Sequence, residues 1–264
     1  MSYRQKRHWE AVYLLGTMLQ MAIVCGIEAM LEINHIQYGK IVELLFLGVG
    51  GTSSALWGII VAKKSGRISS YKQVLRDFLS IKASIRLYGL IVLFWVIIFG
   101  YPIVTGKLIE GVKWHTFILF FVQAIIFGGI EEIGWRYTFQ PMVEMHVSFE
   151  CASMITFMWW GIWHYMYFYI TDSLTAIEHS TFIIGLLGSC FILGAIYRIS
   201  QNLWLCVMYH CLFNMFSQAM LPNTLIETIL YNVIGILIAI IVVRSKGINA
   251  ILKDDHIIKI GRHY

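Results

Sequence analysis

The sequence predicts an all-α membrane protein, a polytopic helical bundle with about eight transmembrane helices and both termini cytoplasmic. Three observations predict it. Hydrophobic residues make up 58% of the 264, and the mean hydropathy is +0.71. Charged residues make up 13%, against roughly 25% in an average soluble domain. The apolar runs are long and unbroken, with 3 Pro in the whole chain, whereas a membrane barrel shows alternating segments of about ten residues. A soluble globule could not bury this much apolar surface and stay dispersed. The composition therefore excludes a soluble enzyme, a disordered chain and a disulfide-rich secreted module. Helices satisfy their own backbone polar groups in hydrocarbon, so a helical bundle follows.

A spanning helix needs about 20 mostly apolar residues. Eight stretches qualify: 11–33, 41–62, 87–105, 115–139, 152–170, 182–199, 203–221 and 225–243. The fourth is expected to run on to about residue 146. The first follows Arg4, Lys6 and Arg7, as a signal peptide would. No small-x-small cleavage site ends its apolar core, and Val24 before Cys25 does not suit a lipoprotein signal, so it reads as an uncleaved span. An even number of spans puts both termini on one side. All but three of the 20 Lys and Arg fall on that side: the N-terminal three, loop 63–86 (Lys63, Lys64, Arg67, Lys72, Arg76, Lys82, Arg86), the tail (Arg244, Lys246, Lys253, Lys259, Arg262), and Arg136 and Arg198 at helix ends. Only Lys40, Lys107 and Lys113 lie opposite. This asymmetry marks the basic side as cytoplasmic. It also accounts for the net charge of +5 without nucleic acid as a partner.

In loop 63–86, Val74, Leu75, Phe78, Leu79 and Ile81 alternate with basic residues. That fits an amphipathic helix lying on an anionic leaflet, with membrane lipids as partners; a charged loop that fixes topology fits as well. The cysteines Cys25, Cys151, Cys190, Cys206 and Cys211 show no paired spacing and read as small core residues. No repeat or linker divides the chain, so 1–264 reads as a single membrane domain.

Ionisable groups inside spans are costly and mark function or pairing. Glu28, Glu32, Glu43 and Glu227 lie near span ends and read as interfacial charges. Three clusters remain. In Gly128-Gly-Ile-Glu131-Glu132-Ile-Gly-Trp-Arg136, the adjacent carboxylates point about 100° apart and so take different roles. Glu132 and Arg136, at i and i+4, can pair. Glu131 is left free to act as a general base on a water. His164 sits among aromatics in Trp159-Trp-Gly-Ile-Trp-His164. His210 and Asn214, at i and i+4, share a face and can donate toward one point, as an oxyanion site requires. Together these residues suffice for amide hydrolysis, from a cavity expected to open toward the cytoplasmic side. Glu131, His164 and His210 would also suit Zn²⁺ with water in the fourth position.

At these residues the sequence resembles the CPBP family, also called Abi or type II CAAX-prenyl-protease-like, of intramembrane proteases. Its motifs EExxxR, FxxxH and HxxxN read here as Glu131-Glu132-xxx-Arg136, Trp160-xxx-His164 and His210-xxx-Asn214. The resemblance covers about 115–220. It implies an intramembrane endopeptidase acting on a membrane-associated protein or peptide. Glu131 and His164 would activate the water, His210 and Asn214 would form the oxyanion site, and Glu132, Arg136 and Trp160 would support them. Family descriptions divide between a metalloprotease and a glutamate protease; the expectation here is no metal, with zinc the alternative. The form of the EEIGWR run implies a multi-pass protein of a bacterial cell membrane. Two departures stand out. Trp160 replaces Phe, and Tyr137 replaces the Gly that commonly follows the motif Arg, which is expected to narrow the space for a substrate backbone. The alternatives are a catalytically silent scaffold or bacteriocin-immunity protein of the same family and, less in keeping with the absence of repeats, a transporter.

Overall fold

The structure, a computed structural model, describes residues 3–253. Lys259 and Arg262 of the basic tail lie outside the described residues. The described residues form helices joined by short loops, with one isolated β-bridge between Leu108 and Met220.

The chain passes back and forth through one bundle. Its passes are Tyr3–Ile33, the pair Lys40–Gly51 and Ser53–Lys64, Ile85–Val104, the interrupted span Trp114–Val143, Phe149–Ile170, His179–Ser200, Leu203–Ala219 and Leu225–Arg244. Six of these are long and apolar enough to cross a membrane by length and composition: all except Phe149–Ile170 and Leu203–Ala219. Those two are helices, as expected, but the first is rich in Trp and Tyr with a His, and the second is 17 residues long. The protein is thus an all-α, polytopic membrane bundle.

Side-chain contacts sort the loops into two ends. At one end, Arg67 bonds Tyr197 at 3.1 Å, Glu10 pairs with His146 at 3.1 Å, Arg198 with Glu144, and Arg244 with Glu150 at 2.7 Å. Arg86 donates to Ile251 O, and Asn202 to Ser80 O. At the other end, Lys107 pairs with Glu227 at 2.6 Å, Tyr169 donates to Glu32 and Tyr38 to Glu28. The first end holds loop 63–86, so the structure gathers the basic loops as the charge asymmetry requires. Local sequence starts the helices there: Ser84, Ser148 and Asn202 accept from the backbone N–H three residues on, the usual satisfaction of an open helix N-terminus. At the opposite end Thr224 and Glu227 form a reciprocal capping box.

Several expectations need correcting. Glu28 is not an interfacial charge; it is 6% exposed and held by Tyr38. Glu43 is exposed. Cys151 is exposed rather than a core residue, whereas Cys190, Cys206 and Cys211 are buried. Of loop 63–86, Tyr71–Phe78 is helical. Val74 and Phe78 dock into the core, while Leu75, Leu79 and Ile81 stay exposed beside the basic residues.

Candidate functional site

The Trp114–Val143 span is not a regular helix. It is α-helical to Ala124, passes through a π-helical turn at Ile125–Gly129, returns to α at Glu131–Gly134, and takes a second π turn at Trp135–Phe139. Ile130 N bonds Ile125 O, five residues back, at 3.2 Å. Such turns recur at functional sites because they re-aim the residues that follow. The Thr138 hydroxyl donates into the second break, with Ile133 O at 2.9 Å and Gly58 O at 3.1 Å as acceptors. Residues 131–140 are buried on every face.

Glycine lets the neighbours close on this segment. A Cβ at Gly134 would lie 2.4 Å from Ser54 O, and one at Gly58 would lie 2.7 Å from Gly134 Cα, so the two backbones touch. Small residues allow this approach between membrane helices. On the opposite side, a Cβ at Gly128 would lie 2.5 Å from Asn214 Nδ2 and 3.1 Å from His210 Nε2. Two nitrogens of the Leu203–Ala219 helix therefore sit within 3.1 Å of a single point.

The paired glutamates have different partners. Glu132 is wholly buried, and its Oε1 lies 2.7 Å from His210 Nδ1 and 3.5 Å from an Arg136 guanidinium nitrogen. The expected Glu132–Arg136 pair is present, but the shorter contact is to His210. Arg136 spreads its charge over the Trp160 ring, 4.0 Å from guanidinium carbon to centroid, a favourable cation–π distance. Glu131 accepts from the Trp160 indole N–H at 2.7 Å and keeps 4% exposure. His164 Nδ1 lies 2.8 Å from Trp160 O. A carbonyl can only accept, so that nitrogen carries a proton, and in the neutral ring Nε2 holds the lone pair.

A cavity of about 120 Å³ is lined by Trp160, His164, Ser189, His210 and Asn214, and its lining continues to Thr181 and Phe182. That volume exceeds the roughly 10–15 Å³ that one water needs. Thr181 and Phe182 lie in the first turn of the His179–Ser200 helix, at the end away from the basic loops. The opening was expected toward the basic side; the lining itself extends from Tyr209 and His210 to Thr181 and Phe182, toward the other end. The structure brings His164, His210, Asn214 and Trp160 to one cavity. Glu131 is not among its lining residues; it joins them through Trp160. Among the described residues no group of three His, Cys, Asp or Glu side chains could hold a metal ion. The alternative zinc set Glu131, His164 and His210 does not fit such a centre, because Glu131 is engaged by the indole rather than grouped with the two imidazoles.

Tyr137 does not narrow the cavity. Its hydroxyl donates to Asp77 at 2.8 Å and Arg67 lies over its ring, so it ties the 71–78 helix to the motif helix. Burial and the neighbouring Asp77 explain why a Tyr is held there more firmly than a Gly could be. Ser189 and Thr181 line the cavity and were not anticipated. Ser189, the one Ser or Thr within the apolar run 182–199, was the available signal.

No curated protein matches the chain. Residues 113–216 match the family model described as Type II CAAX prenyl endopeptidase Rce1-like. This stretch contains all three motifs, both π turns and every polar side chain named in the cavity lining. The match supports a CAAX-type intramembrane protease kind of function, with a protein or peptide substrate and a membrane setting. Over residues 113–216 the chain is thus similar to the Rce1-like, type II CAAX prenyl endopeptidase family, and its EExxxR, FxxxH-like and HxxxN motifs lie within that stretch.

Proposed function

We propose that this protein is an intramembrane endopeptidase that hydrolyses a peptide bond of a membrane-associated protein or peptide in a bacterial cell membrane. The observation that carries the reading is that His164, His210 and Asn214 line one cavity with Trp160, whose indole holds Glu131. Two donors on one cavity wall are what a tetrahedral oxyanion needs. His210 Nε2 donates when the ring carries both protons, a form that the anionic Glu132 at Nδ1 pairs with. The Asn214 amide supplies the second donor.

Water activation falls to Glu131 and His164. His164 presents an unprotonated Nε2, because Nδ1–H is committed to Trp160 O. Glu131 has one oxygen bound by Trp160, which leaves its other oxygen for the water. The base takes the proton, the hydroxide adds to the carbonyl carbon, and the returned proton leaves with the amine. Glu132 and Arg136 hold His210 and Trp160 in place. No step is routed through a metal. With basic loops marking the cytoplasmic side, the cavity faces the outer half of the membrane.

The test is Glu131→Gln, which keeps size and hydrogen bonding. The fold is expected to survive while cleavage falls by a factor on the order of 10² or more, as for loss of a general base. Comparative proteomics of cells carrying wild type or Glu131→Gln identifies the substrate as a precursor that accumulates only with the variant. Full cleavage by Glu131→Gln would show the assignment to be wrong.

A further inference from the structure

Trp160 touches Glu131, His164, Arg136 and His210. Its indole N–H donates to Glu131 Oε2 at 2.7 Å, and its backbone carbonyl accepts from His164 Nδ1 at 2.8 Å. Its ring lies under the Arg136 guanidinium at 4.0 Å and edge-on to the His210 ring at 5.6 Å. At 2% exposure it is among the largest fully buried side chains, so the ring has little room to swing away. The carbonyl contact is open to any residue at this position. The indole contact is not: an indole has one N–H, which can only donate, and phenylalanine, the usual residue of the motif, has no donor.

We propose that Trp160 is the positioning residue of the water-activating pair, holding Glu131 by its side chain and His164 by its backbone. The inference rests on the roles of Glu131 and His164 argued above. A carboxylate oxygen bound by a fixed donor leaves the other oxygen aimed in one direction. Arg136, stacked on the ring, holds the indole in its plane. The same ring thus couples the Glu132–Arg136–His210 group to the Glu131–His164 group, and the two halves of the reaction keep one geometry. Misplacing a reacting group by about 1 Å can lower turnover by roughly 10²-fold.

The test replaces Trp160 in the full-length chain with β-(3-benzothienyl)alanine, which keeps the bicyclic ring and its stacking on Arg136 but has sulfur in place of N–H. Two readouts are taken in one detergent. In ¹H–¹⁵N spectra, the indole resonance that vanishes in Trp160→Phe is expected downfield, as for a donor to a carboxylate, and upfield again in Glu131→Ala. An unmoved resonance in Glu131→Ala overturns the proposal. In cleavage of fluorescein-labelled casein, the benzothienyl protein is expected to keep the melting temperature and KM of the wild type while kcat falls by roughly 10- to 100-fold. An unchanged kcat, or a melting temperature that falls in step with it, overturns the proposal, since a merely structural indole would give one of these. If Glu131→Gln cleaves as fast as wild type, the functional reading is what fails. Where wild type leaves casein intact, the resonance alone supports or overturns the contact.

Discussion

The two halves of the Trp114–Val143 span face different surroundings. From Trp114 to Phe127 the helix is α-helical into its first break, carries no Lys, Arg, Asp or Glu, and exposes Ile118, Leu119, Val122, Ile126 and Phe127. From Glu131 to Gln140 nothing is exposed, and the same span holds Glu131, Glu132, Arg136, Thr138 and Gln140. Hydrocarbon accepts the first half as it stands. It would reject the second, where each charge out of water needs a partner. The helix therefore carries its chemistry only where other helices enclose it; the first π turn falls where the surroundings change, and the second lies inside the enclosed half. Averaged over its length the span looks like any other, which is why the division is visible only residue by residue.

The sharpest way to break the comparison is to unbalance the enclosed half. Glu132→Gln leaves Arg136 and His210 without their carboxylate. Removing one partner of a buried ion pair costs roughly 3–5 kcal/mol, so the melting temperature in detergent should fall well below that of Glu131→Gln. The double variant Glu132→Gln with Arg136→Gln should regain part of the stability but not the cleavage, because His210 still lacks its partner. Equal losses for Glu131→Gln and Glu132→Gln would mean that the two carboxylates are not divided between chemistry and structure.

Packing gives the next effect. Gly58→Ala drives a Cβ to 2.7 Å from Gly134 Cα, and overpacking of this kind costs about 1–3 kcal/mol. Gly89→Ala, in the Ile85–Val104 helix, meets nothing within 4 Å and serves as the matched control. Chemical denaturation of the two variants should separate them; similar midpoints would mean that the contact between the two backbones is looser than described. In the lipid-facing half, Leu119, 65% exposed, should tolerate Leu119→Ala within about 0.5 kcal/mol. A larger loss would show that another protein surface, not lipid, covers that face.

The smallest effect lies just past the span. Burial holds the Glu144 carboxyl above its ordinary value, with Arg198 opposing. A carboxyl raised in the fold binds its proton more tightly there than in the unfolded chain. Its contribution is therefore present below the unfolded value and is lost as pH rises through the folded one. Melting temperatures of wild type and Glu144→Gln should lie closest in acid, and the wild type should lose ground relative to the variant as pH rises toward neutrality. A gap that does not change with pH would rule this out.

Much of this was legible in the sequence. Composition and the placement of Lys and Arg indicate an even-numbered helical bundle with its basic loops together. The spacing of Glu132 with Arg136, and of His210 with Asn214, indicates which side chains share a face. Other features depend on contacts across the fold. Nothing local tells that Glu132 lies closer to His210, 78 residues on, than to Arg136. The Tyr137 hydroxyl reaches Asp77 because loop 63–86 folds back over the motif helix, a tertiary event. Trp160 in place of Phe reads in the sequence as one aromatic ring for another, since its volume is visible there but the direction of its N–H is not. That the cavity lining reaches Thr181 and Phe182 was not legible either, because one helix does not say which of its polar residues its neighbours leave open.

The order in which partners arrive gives Arg136 a second significance. During synthesis the Trp114–Val143 span enters the membrane before the residues that will serve its carboxylates. The donor to Glu131 comes 29 residues later and the close partner of Glu132 comes 78 residues later. Until then Glu132 has Arg136, one turn away on its own helix. A pair that needs no other segment lowers the charge that the nascent span must carry into lipid. Arg136 thus acts as a resident counter-ion while the chain is still incomplete, and shares that carboxylate with His210 once the Leu203–Ala219 helix has emerged.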